Sequence, residues 1–286
     1  MSRIYEEKSV RIGKNILAFL LFLCLLLLSL SICVRAVFVN PNFITRVFTD
    51  KAYADALYED IYDYAGDYCD ASGVDKKIVD ETVTYEKIYN IQKAYFLNIF
   101  EVSEQYNEEA FNKDISNLNG DIVKSANTYL ESISVDLTDE VKKATQNFAD
   151  NICDYIRDRI SVDYIDEASS LVGTAKTASS ILIAVFTLAS VILITSIYYT
   201  GEKHYRAVRY ITYSFTAAAL TDTLLVIGVQ IIKCFKDLVI YPYYLCDALM
   251  KYINSCVLSV VVACAFLFFA ALIFAAYTWR LKFNKK

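Results

Sequence analysis

An all-α membrane protein is the fold class this sequence predicts: four transmembrane helices, with a helical-bundle extracytoplasmic domain between the first and second spans. Three observations predict it. Four apolar runs are each long enough to cross a bilayer as a helix, which needs about 20 residues at 1.5 Å per residue. Lys and Arg gather in alternate connecting segments. The longest hydrophilic stretch repeats its apolar residues at helical spacing, with almost no strand-like alternation.

Residues 1–15 form a basic tail holding Arg3, Lys8, Arg11 and Lys14, and residues 16–39 the first span, uncharged from Ile16 to Val34. A basic start before an apolar run also suits a cleaved secretory leader. The uncharged run exceeds the usual leader core of about 7–15 residues and passes into Ile32, Cys33, Val34 and Arg35 without a small-residue cleavage site, so a retained helix is expected.

Residues 40–177 are the predicted extracytoplasmic domain. Tyr53, Leu57, Ile61, Tyr64 and Tyr68 lie on one helix face, and a second helix begins near Val74 and runs through Ile78, Val83, Ile88 and Ile91. A third carries Phe111, Ile115, Leu118, Ile122, Ala126 and Leu130, with Gly120 as a candidate break. A fourth follows Thr138, an N-cap with Asp139 and Glu140 in the first turn, and its stripe is Val141, Phe148, Ile152, Tyr155, Ile156 and Ile160. Stripes of this kind must be buried against one another, so a bundle of about four helices is expected, the last of them able to run on stiffly into the second span. From Asn40 to Ala178 there are 27 Asp and Glu against 13 Lys and Arg, a balance of −14 within a chain of net charge −5. A segment so acidic repels phosphate, which excludes nucleic acid as a partner.

The second span is 178–199, the connecting loop 200–210 carries Lys203, Arg206 and Arg209, and the third span is 211–232. Residues 233–255 form a second outer loop whose Tyr241, Tyr243, Tyr244 and Tyr252 suit an interfacial aromatic belt. The fourth span is 256–277, followed by the basic tail 278–286 with Arg280, Lys282, Lys285 and Lys286. Three short basic segments on one side place both termini in the cytosol of a multi-pass protein. A composition rich in Lys, Asn, Ile and Tyr, with no Asn-x-Ser/Thr sequon, suits a bacterial plasma membrane.

Catalytic chemistry is sparse. The seven glycines are scattered, so no phosphate-binding loop is present, and His204 is the only histidine, which leaves no His pair for zinc and no Ser-His or Cys-His relay in the outer domain. The cytosolic segments are too short to hold an enzyme domain. No enzymatic activity, cofactor or bound metal is expected.

Asp222 is the only charge within the four apolar runs and lies near the middle of the third span. A carboxylate there costs about 2.5–3.5 kcal/mol on insertion scales, so it must face protein or water, and Ser214 and Ala218 share its face. Asp222 with Thr221, Thr223 or Gln230 is a candidate intramembrane ion or proton site; the alternative is a protonated Asp222 bonded to a serine or threonine of a neighbouring span. Cys69 and Cys153 are candidates for a disulfide across the outer domain, or for small buried apolar groups. Asp63, Asp67 and Asp70 share a helix face that suits either weak calcium binding or plain solvation. The expected partners are the lipid bilayer and a membrane or envelope protein bound by the outer domain, or further copies of the chain. The leading expectation is a non-enzymatic binding or interaction protein, with an oligomeric transporter or channel subunit using Asp222 as the alternative.

Overall fold

The computed structural model describes residues 2–100, 108–162, 165–200, 204–232 and 240–283. Regular structure among them is entirely helical, and four helices are long and apolar enough to cross a membrane. In chain order the helices are α1 (Ser2–Cys33), α2 (Pro41–Phe48), α3 (Lys51–Ser72), α4 (Lys77–Thr82), α5 (Tyr85–Ile99), α6 (Glu108–Ser132), α7 (Asp139–Ile160), α8 (Ile165–Tyr199), α9 (His204–Ile232) and α10 (Tyr243–Phe283). They divide into two compact units: one of Met1–Asn40, Val172–Leu238 and Met250–Lys286, and one of Pro41–Leu171 with Val239–Leu249.

The first unit is built on α1 and α9. Leu21 and Leu25 of α1 meet Ile211 and Ala218 of α9 in one buried cluster, joined by Ile197 of α8 and Ala207. Ala218 and Ala219 are fully buried, and small side chains here let two helix backbones approach closely. The Ser214 hydroxyl donates across this contact to Ala18 O at 2.7 Å. After Cys33 the first helix widens into a π turn over Val34–Phe38, closed by Val39 N–H donating to Val34 O at 2.9 Å. Pro41, which cannot supply an N–H to a helix interior, then occupies the first turn of α2.

The second unit is a bundle with its own core. Leu57 and Ile61 of α3, Ile88 of α5, Leu118 and Ile122 of α6, and Ile152 and Ile156 of α7 are all nearly or wholly removed from solvent. These are the stripes predicted from spacing. Helix α3 ends where Gly73 takes a left-handed φ of 68°, so that Val74 N–H reaches back to Cys69 O. Thr138 caps α7, accepting from Val141 N–H at 3.4 Å.

Four expectations are corrected, and one short helix is additional. The predicted second outer helix is two, α4 and α5, separated at Val83 and Thr84, where Thr84 adopts extended backbone. Pro41–Phe48 forms a helix of its own. Gly120 lies inside α6 without breaking it, because intrahelical bonds on both sides outweigh the entropy cost of one glycine. Helix α7 does not run into the second span: Ser161 turns to extended backbone at ψ 128°. Residues 243–255, read as loop, are the beginning of α10, where Tyr244 and Ala248, four residues apart, are both buried on one helix face.

Candidate functional site

Three residues at helical steps on α9, Ser214, Ala218 and Asp222, form the face turned inward, at 2%, 0% and 0% exposure. On α1 the facing row ends at Ser29, which is 5% exposed. The Ser29 hydroxyl lies 2.8 Å from Asp222 Oδ2 and equally 2.8 Å from Leu26 O of its own helix. A hydroxyl has one hydrogen to give. Both short contacts are served at once when the carboxyl itself carries a proton, donating from Oδ2 to Ser29 while Ser29 donates to Leu26. Asp222 Oδ1 has no hydrogen-bond partner among the described residues.

The residues grouped with Asp222 by sequence do not converge on it. Thr221 donates to Ala217 O at 3.0 Å, four residues back in its own helix. Thr223 donates to Ala219 O and shares a 3.0 Å contact with Cys264 of α10. Gln230 is exposed, two turns further along. The partner that matters is Ser29, and its only signal in the sequence is a serine within a run of leucines. Cys33, one turn beyond Ser29, donates to Ser259 O at 3.4 Å, so polar contacts link α1 to both α9 and α10.

The bundle unit contains a second polar centre that spacing alone did not indicate. Arg159 Nε lies 3.0 Å from Asp60 Oδ2, and both side chains are about one-quarter exposed or less. Tyr155 and Tyr244 each donate to the same carboxylate at 3.4 Å. The Arg159 guanidinium lies over the rings of Tyr155 and Tyr241, 4.7 and 5.3 Å from their centroids. Its pKa is held above the usual guanidinium range by Tyr155, Asp60 and Tyr244, against the opposing effect of burial. Tyr155 in turn stacks on Tyr64 at 3.6 Å, and Tyr64 on Tyr68. The centre therefore binds the 240–249 segment to α3 and α7. Tyr244, read as part of an interfacial belt, is instead 9% exposed and packs edge-on against Tyr53 at 5.2 Å.

Several tyrosines of this unit follow one pattern, with the ring in the half-buried layer and the hydroxyl reaching a polar group. Tyr62 donates to Asp80, and Tyr68 accepts from Asn151 at 2.7 Å. Tyrosine in these cases thickens a modest core with its hydroxyl paired, whereas the buried Tyr53 hydroxyl has no hydrogen-bond partner among the described residues.

Cys69 and Cys153 are free thiols, at 0% and 3% exposure. The Cys153 thiol points at Ile115 O, 3.9 Å away on α6. Burial pushes each thiol up to about 11. Asp70 forms an exposed 2.9 Å ion pair with Lys76, while Asp63 and Asp67 face solvent. His204 opens α9 with its ring stacked on Tyr198 at 4.8 Å.

Comparison of the chain with protein-family models, with characterised proteins and with solved structures finds no match.

Proposed function

We propose that this chain is a non-enzymatic, multi-pass protein of the plasma membrane, with both termini in the cytosol, that binds a membrane or envelope protein through its helical outer domain. The observation carrying this reading is the bundle unit of Pro41–Leu171 and Val239–Leu249. Its two parts are separated along the chain by two apolar helices, α8 and α9. Two crossings return a chain to the side it left, so a single folded unit drawn from both segments suits a four-span topology. The same unit carries most of the acidic charge, while the short segments expected on the other side are basic. Its surface therefore favours a partner presenting Lys and Arg.

The test is crosslinking of the full chain in its native membrane, purification, and mass spectrometry of what is captured. A stoichiometric partner that is lost when the exposed pair Asp63 and Asp67 is reversed to Lys supports the reading. Capture of copies of this chain alone overturns it.

One observation favours a second reading, an oligomeric transporter or channel subunit with Asp222 as an ion or proton site: the Oδ1 atom of a fully buried carboxyl has no partner among the described residues. We place it second because the other oxygen is engaged by Ser29, and Thr221, Thr223 and Gln230 supply it with no further ligand. Proton flux in liposomes that survives Asp222→Asn would remove Asp222 from any such pathway.

A further inference from the structure

Near the N-terminal end of α9 and the C-terminal end of α10 the two helices leave a groove of about 210 Å³, lined by Arg209, Thr212, Tyr213, Ala275 and Thr278. Its depth in a membrane can be counted from the contact between Thr223 and Cys264, which fixes one level on the two helices. Arg209 lies fourteen residues from Thr223, and Thr278 fourteen from Cys264, both about 21 Å along their helices at 1.5 Å per residue. Tyr213 and Ala275 lie ten and eleven residues away, about 15–17 Å. The apolar core of a bilayer is about 30 Å thick, so measured from a mid-span level its edge comes at about 15 Å. Tyr213 and Ala275 therefore stand where acyl chains end, and Arg209 and Thr278 where phosphates begin.

The surrounding side chains suit that depth. Tyr213, Tyr277 and Trp279 are 56%, 45% and 68% exposed, as aromatic residues are at a membrane interface. Arg209 is exposed and donates to the Tyr213 hydroxyl at 3.1 Å, which holds the guanidinium at the groove. No carboxylate among the described residues forms an ion pair with it. Arg280 and Lys282 follow Thr278 on α10 and add positive charge at the same end. The groove wall below is Tyr213 and Ala275, which offer an acyl chain carbon rather than charge.

We propose that this groove holds an anionic phospholipid, its phosphate on Arg209 and the start of one acyl chain between Tyr213 and Ala275. A basic pocket between membrane helices is a recognised form of headgroup site, and each cation near the surface contributes about a five-fold preference for anionic lipid. The proposal rests on α9 and α10 crossing a bilayer, and the test separates the two.

The full chain is reconstituted in nanodiscs of equimolar phosphatidylglycerol and phosphatidylcholine, and lipids retained on release are counted by native mass spectrometry. Wild type should retain phosphatidylglycerol over phosphatidylcholine. Arg209→Gln should lower that preference about five-fold, and Ala275→Leu, which fills the groove without touching charge, should lower retention while leaving the chain in the disc. Arg35→Gln, in the π turn after α1, should change neither. Failure of the chain to enter discs overturns the membrane reading itself. Entry with no lipid preference, equal preference in wild type and Arg209→Gln, or displacement of the lipid by excess inorganic phosphate overturns the groove alone. A change in oligomeric state on Arg209→Gln with lipid retention unchanged would assign Arg209 to a contact between copies, and also overturns it.

Discussion

The Asp222 and Ser29 pair makes a sharp prediction because its partners can be removed separately and together. In Ser29→Ala the carboxyl loses its only hydrogen-bonding neighbour among the described residues while remaining at 0% exposure. An orphaned buried polar group costs about 1–3 kcal/mol, and hydrogen bonds between membrane helices are worth somewhat less, up to about 1.7 kcal/mol. The expected loss for Ser29→Ala is therefore about 1–2 kcal/mol. Asp222→Asn keeps the shape and supplies an amide hydrogen to Ser29, so it should change stability by less than about 1 kcal/mol. The double variant Ser29→Ala with Asp222→Leu removes both polar groups, and an apolar pair of similar shape should recover most of what Ser29→Ala lost. The assay is equilibrium unfolding of the full chain in bicelles with a denaturing detergent, followed by helix signal. An Asp222→Asn variant destabilised as strongly as Ser29→Ala, or a double variant worse than either single one, would refute the neutral hydrogen-bonded carboxyl and require an ionised one with another partner.

Two further outcomes follow from the bundle unit. Arg159→Met removes the cation while keeping the stem, and should raise amide hydrogen exchange across Tyr243–Leu249 with a loss of about 1–3 kcal/mol. Combined with Asp60→Asn the loss should be less than additive, and additive effects would disprove their coupling. Cys69 and Cys153, pushed up to about 11, should stay unreactive to iodoacetamide at pH 8 in the folded chain and react on unfolding. Because the folded thiols hold their protons more tightly than unfolded ones, stability should be unaffected below the ordinary thiol range and fall as pH rises through it towards 11; rapid labelling at pH 8 would show that the thiols are not buried.

Much of the helical framework was legible because it rests on local rules. A run of about 20 uncharged apolar residues has few alternatives to a membrane helix, and Leu57, Ile61, Ile115, Leu118, Ile122, Ile152 and Ile156 recur at a spacing that only one face of a helix brings together. Thr138 was readable as a cap for the same reason, since its bond to Val141 spans three residues. The inward face of α9 followed from Ser214, Ala218 and Asp222 at steps of four, and from the cost of a carboxyl in lipid.

What spacing could not supply is the identity of a partner distant in sequence. Nothing local pairs Asp222 with Ser29, 193 residues away, in preference to the adjacent Thr221 and Thr223, whose hydroxyls are satisfied by carbonyls one turn back in their own helix. Tyr244 reads as one of four similar tyrosines until Tyr53 and Asp60 are brought against it, 184 residues from Asp60. The helices, the apolar spans and the residues that must be buried are readable from local pattern, because periodicity and the cost of charge in lipid act within a few turns. Which buried groups meet is settled by the packing of whole helices and by no single stretch of chain, because a hydrogen bond or ion pair depends on positions within about 3 Å.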